Sequence, residues 1–191
     1  MRWGLLLVVL GLASPRNAGA VTLVRPDGRV AQPYQRWADA SKVPTPRGTV
    51  TVYGDRCPEG PWACYYRDGR RLYIDRATIE PLLHAGSDEL MAAKRGFFHE
   101  LFHDFDEGGP LTDGDRAQFM RIMRLHGAWR ISDHDHSPNE VFANGAAACA
   151  LRSRLDTSGA FGGNYEPTAR QHRRVCALIR SAGGWYMRRA S

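Results

Sequence analysis

The chain has 191 residues, of which 43% are hydrophobic and 24% are charged, and its formal net charge is +6. This length suits one domain with a hydrophobic core and hardly two, and the composition is that of a soluble globular protein rather than a bundle of membrane spans. The positive charge is scattered and forms no basic stripe interleaved with aromatic residues, which argues against a specific nucleic-acid binder.

The first twenty residues have the layout of a secretory signal. Arg2 precedes an apolar run over residues 5–12, and small residues stand at Ala18 and Ala20. The run is too short to cross a bilayer core of about 30 Å, which argues against the alternative of an uncleaved anchor. We therefore predict a signal over residues 1–20, no membrane span after its removal, and a secreted or extracellular location, with the cell envelope as an alternative.

The cysteines fit an exported chain. There are four, and an even count in an exported protein predicts two disulfides. Three pairings are open. We favour Cys57–Cys64, which closes a short local loop, and Cys149–Cys176, which ties two C-terminal segments together. A cysteine-bound zinc is disfavoured because the chain has no Cys-x-x-Cys pair.

The predicted strands come first along the chain. Residues 21–48 contain four prolines and are expected to form an extended lead-in or a pro-segment, with a short helix near residues 34–40. Residues 49–55 alternate β-branched side chains and predict a strand. Residues 64–75 predict a hairpin around Asp68 and Gly69, because glycine accepts the positive φ of a tight turn.

The helical pattern begins at Ser87, the expected N-cap, where apolar residues start to recur at helical spacing. This helix should end at Gly108. Strands followed by helices indicate an α+β domain over residues 49–191. The later helices are predicted over residues 113–127, 137–152 and 167–179.

The predicted helix that begins at Ser87 carries the pattern His-Glu-x-x-His at His99, Glu100 and His103. Residues four apart lie on nearly the same helix face, so the two imidazoles can bind one metal ion. Zinc lowers the pKa of a bound water toward about 7, and a glutamate beside that water can take its proton. The sequence therefore predicts a zinc site with Glu100 as general base; two surface histidines on a solvated helix are the alternative.

A third ligand is expected downstream of the motif. Asp106 and Gly109 stand where a short metzincin site would need glycine and histidine, which excludes that arrangement. We choose Glu140, since Asn144 one turn on could hydrogen-bond a ligating histidine. Glu140 could instead fold back to Ser137 in a capping box. The remaining alternatives are acids or histidines just upstream: Asp133, His134, Asp135 and His136.

These two short motifs resemble the gluzincin branch of zinc metallopeptidases, over about residues 64–151. The resemblance implies a zincin-like fold: a small N-terminal hairpin or sheet, then the active-site helix and C-terminal helices. It also implies Zn²⁺ bound by His99, His103 and Glu140, with Glu100 as general base. Asn144 takes a position where the family often has aspartate. The large N-terminal sheet domain of thermolysin-like enzymes is missing here.

The resemblance also suggests roles outside the ligand set. Residues 70–75 would be the edge strand that binds substrate in extended form. Tyr165 or His172 would stabilise the oxyanion, with a surface or packing role as the alternative for both. Asp104 and Asp106 would either support the site or merely end the helix, and we favour a structural role for Asp106.

Taken together, the sequence predicts an exported, monomeric zinc metallopeptidase that hydrolyses peptides or proteins. The main alternative is an exported protein that keeps the zincin scaffold for metal binding or interaction, without significant turnover. A basic module that binds the envelope or nucleic acid, with an accidental motif, is a further alternative.

Overall fold

A computed structural model describes residues 20–131, 136–151 and 164–189, with side chains in the last range as far as residue 183. The predicted signal therefore lies almost wholly outside the described residues. The described part is α+β, as the sequence predicts, and it has four strands and six helices. The elements are β1 Val21–Val24, α1 Tyr34–Asp39, β2 Gly48–Tyr53, β3 Ala63–Tyr66, β4 Arg71–Ile74, α2 Arg76–Leu83, α3 Ser87–Glu107, α4 Asp113–Met123, α5 Pro138–Leu151 and α6 Ala169–Arg189.

The sheet has the strand order β1-β2-β4-β3. β1 pairs with β2 and β2 with β4 in parallel, whereas β3 and β4 form the predicted antiparallel hairpin. The predicted edge strand is therefore wrong: β4 lies inside the sheet and β3 lies at its edge. The parallel pairing of β2 with β4 joins strands that are not neighbours along the chain, so the hairpin pattern alone could not reveal it.

Residues 21–48 are part of the domain rather than an extended lead-in. Val21 and Leu23 of β1 are buried in the core, and α1, close to its predicted position, packs on β1. The side chain of Gln35 accepts a hydrogen bond of 2.7 Å from the amide of Leu23 and donates one of 3.1 Å to the carbonyl of Val21. This side chain thus satisfies main-chain groups of an edge strand, which would otherwise be open to another chain.

Two further details differ from the sequence prediction. The sequence pattern does not predict α2, which begins after Asp75. The carboxylate of Asp75 accepts a hydrogen bond of 3.1 Å from the amide of Ala77 and so caps this helix. The N-cap of α3 is Gly86 rather than Ser87, which is already the first helical residue. No helix in the described ranges is both long and apolar enough to cross a membrane.

The core forms where α3 packs against α5. One face of α3 is a continuous apolar surface with less than 2% exposure of each side chain; its members are Phe97, Phe98, Leu101, Phe102 and Phe105. α5 is buried from residue 138 to residue 150, and its alanines allow close approach. Burial of aromatic surface on this scale is the main favourable contribution to the fold.

Two buried aspartates near the end of α3 attach other elements to it. Asp104 accepts hydrogen bonds from the hydroxyl of Tyr65 at 2.7 Å and from the guanidinium of Arg70 at 2.6 and 2.8 Å. The pKa of Tyr65 is raised, first by burial and then by this bond, so the phenol stays protonated and remains a donor. The contacts of Asp104 therefore fix the β3–β4 hairpin on α3.

Asp106 has a matching role on the other side of the helix. It accepts from Nε of Arg116 at 2.7 Å and from Nε1 of Trp129 at 2.9 Å, and its side chain is 1% exposed. These bonds hold α4 and the segment that leads to α5. The contacts agree with the predicted structural role of Asp106.

Both predicted disulfides are present. Cys57 is bonded to Cys64 and Cys149 to Cys176, so the second bridge ties α5 to α6. Two disulfides are typical of a protein that folds in an oxidising compartment.

The two disulfides should differ in their contribution to stability. They close loops of 7 and 27 residues, for which the chain-entropy relation gives about 2.4 and about 3.6 kcal/mol. Replacing Cys149 and Cys176 by alanine should therefore lower the free energy of unfolding more than the same change at Cys57 and Cys64. Urea unfolding of the two double variants measures the difference, and equal or reversed losses would contradict it.

Candidate metal centre

Two helices face each other at the candidate metal centre. α3 carries His99 and His103 one turn apart, and α5 carries Glu140 and Asn144 one turn apart. Side chains four residues apart share a helix face, so each helix presents a polar pair to the other. Because the apolar residues of α3 pack in the core, the helix cannot rotate freely, and the two histidines are held facing α5.

The predicted ligand atoms form a small triangle. Nε2 of His99 lies 3.1 Å from Nε2 of His103 and 3.1 Å from Oε2 of Glu140, and Nε2 of His103 lies 3.4 Å from the same oxygen. Corners of a tetrahedron with metal–ligand bonds of about 2.0–2.1 Å are about 3.3 Å apart. The three atoms thus have the spacing of three ligands around one tetrahedral cation.

The carboxylate of Glu140 is directed at the histidines. Its Oε2 faces the two imidazoles, and its Oε1 accepts a hydrogen bond of 3.1 Å from Nδ2 of Asn139. The hydroxyl of Ser137 lies 3.2 Å from the carbonyl of Trp129 and accepts from the amide of Ile131. These contacts favour Glu140 as a ligand over the capping-box alternative.

The upstream alternatives differ from Glu140 in their surroundings. His136 is exposed and lies two residues before α5, whereas Glu140 is buried beside His99 and His103. Asp133, His134 and Asp135 lie outside the described residues. Glu140 therefore stays the prediction for the third ligand.

Glu100 lies beside the triangle. Its Oε1 is 4.0 Å from Nε2 of His99, and its side chain is 16% exposed. Glu100 and the two histidines have ligand atoms within 4.8 Å of one another, so two carboxylates are near enough to be the third ligand. Oε2 of Glu140 is the closer to His99, which favours Glu140 as ligand and leaves Glu100 adjacent to the metal position.

Asn144 orients one of the histidines. Its Oδ1 lies 2.8 Å from Nδ1 of His99. An amide oxygen can only accept, so Nδ1 of His99 carries the proton and Nε2 has its lone pair directed into the triangle. The arrangement is the one the sequence predicts for Asn144, and it selects the tautomer that a metal ion requires.

Burial and charge act in opposite directions on the ionisable groups. Burial alone would lower the pKa of His103, but the bond to Glu140 and the charges of Glu100, Glu140 and Glu107 outweigh it and raise the pKa to about 9. Burial would raise the pKa of Glu140, yet the close imidazoles of His103 and His99 lower it well below its usual range. The site therefore keeps an ionised carboxylate beside two imidazoles, and a metal ion binding there would displace the proton of His103.

The candidates for oxyanion stabilisation are paired with each other. The hydroxyl of Tyr165 lies 2.9 Å from Nδ1 of His172. The ring of Tyr165 packs on Gly145, one residue beyond Asn144, where a Cβ would come 2.7 Å from the ring. These contacts give both residues a packing role, and a part in catalysis stays a prediction.

A second group has suitable ligand types but a different chemical state. Cys149, His172 and Cys176 have ligand atoms within 4.8 Å of one another. The two sulfurs are joined in a disulfide, and a disulfide offers no thiolate to a metal ion. Of the two groups, the one on α3 is therefore the one able to bind a metal in the oxidised protein.

Sequence reasoning missed Asn139, which contacts Glu140 directly. Neighbouring residues on a helix do not usually share a face, so adjacency in the sequence gave no signal for this contact. It also missed Tyr65 and Trp62, which lie far from the motif along the chain and attach the edge strand to α3.

Comparison of the chain with protein-family models, with curated proteins and with solved structures found no match. The likeness to gluzincins therefore rests on the two motifs. What the structure contributes is the placement of their side chains: His99, His103 and Glu140 meet, Glu100 lies alongside, and Asn144 contacts His99.

Loss of the Glu140 carboxylate should remove metal binding. Glu140→Gln keeps the size of the side chain but removes the charge, so affinity for Zn²⁺ should fall by more than about 100-fold. This is a larger loss than that caused by removing a residue that only hydrogen-bonds a ligand. Glu89→Gln is the matched control, because Glu89 is also on α3 but is exposed in its first turn, ten residues before His99. Elemental analysis and competition with a chelating dye measure both. Equal zinc content in the two variants would contradict the ligand set.

The contact between Asn144 and His99 should influence affinity more weakly. Asn144→Ala removes the acceptor for Nδ1 of His99 and should lower Zn²⁺ affinity by about 10–100-fold. Asn144→Asp restores an acceptor with a full charge and should bind at least as tightly as the original chain. The same titration tests this order, and unchanged affinity in Asn144→Ala would exclude an orienting role.

Proposed function

We propose that this protein is an exported zinc-dependent metallopeptidase that hydrolyses peptides or proteins. The observation that carries the proposal is the triangle formed by His99, His103 and Glu140, with the carboxylate of Glu100 alongside it. Two imidazoles and one carboxylate are a donor set that suits zinc, and three protein ligands are the number that catalytic zinc sites use.

The position of Glu100 supports hydrolysis rather than simple storage of a metal. A zinc ion held by His99, His103 and Glu140 would supply Lewis-acid activation of water and of the scissile carbonyl. Glu100 accepts the proton of the attacking water and passes it to the leaving nitrogen, which is the task of a general base and then a general acid. The carboxylate of Glu100 lies 4.0 Å from Nε2 of His99, farther than that of Glu140. This distance suits a group that contacts the metal-bound water rather than the metal ion.

The edge strand β3 offers a place for an extended peptide. Trp62, directly before β3, packs on Gly96 of α3 so closely that a Cβ there would collide with the indole. Tyr65 within β3 bonds to Asp104 of α3. Residues 99–103 lie between these two attachment points, so β3 runs alongside the motif. Within the described ranges β3 is paired on one side, and a peptide that added to its other side by main-chain hydrogen bonds would lie near Glu100.

An exported metal-binding protein without significant turnover is the second candidate. It is favoured by Asn144, because a neutral amide polarises the imidazole of His99 less than a carboxylate would. The two candidates share the metal site and differ only in what Glu100 does.

The decisive test is therefore Glu100→Gln. This variant should keep zinc and lose at least about 100-fold in kcat on a peptide library, since general acid–base catalysis contributes roughly 10²–10⁴-fold. Glu89→Gln, an exposed position in the first turn of the same helix, is the control and should be unchanged. Cleavage is measured with quenched fluorescent peptides after equal zinc loading.

Three results would contradict parts of the proposed function. Wild-type protein that binds zinc but cleaves no peptide would favour the non-catalytic candidate. Full cleavage by Glu100→Gln would remove Glu100 from the mechanism. Protein that takes up no zinc at all would overturn the metal site itself.

A further inference from the structure

We propose that Asn139 is a positioning residue that makes Glu140 present a single oxygen to the metal ion; this inference rests on the metal site of the proposed function. Nδ2 of Asn139 lies 3.1 Å from Oε1 of Glu140, while Oε2 of Glu140 faces the histidines. The two oxygens of one carboxylate thus have separate partners.

The orientation of the Asn139 amide follows from the chemistry of its neighbours. An ionised carboxylate only accepts hydrogen bonds, so the atom of Asn139 that faces Glu140 must be the NH₂ group. The amide oxygen then faces the hydroxyl of Ser137, with which it forms a short contact. That hydroxyl accepts from the main-chain amide of Ile131 at 3.2 Å, and its single proton has two acceptors, the carbonyl of Trp129 at 3.2 Å and, in the closer contact, Oδ1 of Asn139.

The same hydrogen-bonded chain extends back to the helix that carries the histidines. The main-chain N–H of Asn139 donates to the carbonyl of Trp129 at 3.1 Å. Nε1 of Trp129 donates to Oδ2 of Asp106 at 2.9 Å. Asp106 lies three residues beyond His103 on α3, so both sides of the ligand set are fixed to one network.

Burial of these residues limits rotation of the Glu140 carboxylate. Ser137 is 2% exposed, Asn139 8% and Glu140 6%. A polar group at such depth is costly to leave without a partner, so rotation of the carboxylate would cost the bond at Oε1. Binding of both carboxylate oxygens to the metal ion is therefore disfavoured, and a coordination position stays available for water or substrate.

The test is Co²⁺ binding to the full mature chain, followed by visible absorption and by titration. Wild-type protein should give the intense bands of four-coordinate Co²⁺. Asn139→Ala releases Oε1, so its bands should weaken toward those of a higher coordination number, and affinity should fall by about 10–100-fold. Asn144→Ala is the matched control: it disturbs His99 rather than Glu140, so affinity should fall while the bands keep their four-coordinate intensity.

The outcomes separate this inference from the proposed function. Wild-type protein that binds no Co²⁺ overturns the metal site and the role of Asn139 together. Wild-type and Asn139→Ala proteins with the same spectrum and affinity overturn the role of Asn139 alone, even if the variant melts at a lower temperature. If metal-free Asn139→Ala does not fold, Ser137→Ala takes its place. It removes the hydroxyl that holds the Asn139 amide, and it should give the same spectral change in weaker form; an unchanged spectrum would again overturn the inference.

Discussion

The packing of α3 against α5 is the contact on which the site depends. It places two imidazoles and a carboxylate in a buried environment, where each polar group needs a partner. The phenylalanine face of α3 sets the rotation of the helix, and the alanines of α5 set the distance between helices. A change in either would move His99 and His103 relative to Glu140, since buried side chains at this density cannot shift independently.

The remaining elements act as supports for this helix pair. Asp104 fixes the hairpin on one side of α3, and Asp106 fixes the segment before α5 on the other. Both aspartates follow His103 within three residues, so a single turn of α3 organises the edge strand, the ligand helix and the ligands. Removing one partner of such a buried pair commonly costs about 3–5 kcal/mol, which makes this turn a point where stability and geometry are coupled.

Local sequence patterns explain how much could be predicted. The spacing of His99 and His103, the helix around Glu140 and the Asp68-Gly69 hairpin follow from residues close together. The cysteine count predicts two disulfides but leaves three pairings open. β1 and the parallel pairing of β2 with β4 depend on contacts between distant segments, and no short pattern encodes them. The bond from Asn139 to Glu140 depends on rotamers at the start of a buried helix. Local patterns therefore predict which side chains of α3 and α5 lie together better than they predict the sheet around them.

The side chain of Gln35 has a consequence for how the sheet can grow. By bonding to the main chain of both Val21 and Leu23, it takes the place of a fifth strand beyond β1. Within the described residues, β3 is paired on one side only. In the described part of the chain, β3 rather than β1 is therefore the strand with which an added strand would pair, whether it came from a bound peptide or from a second copy of the chain.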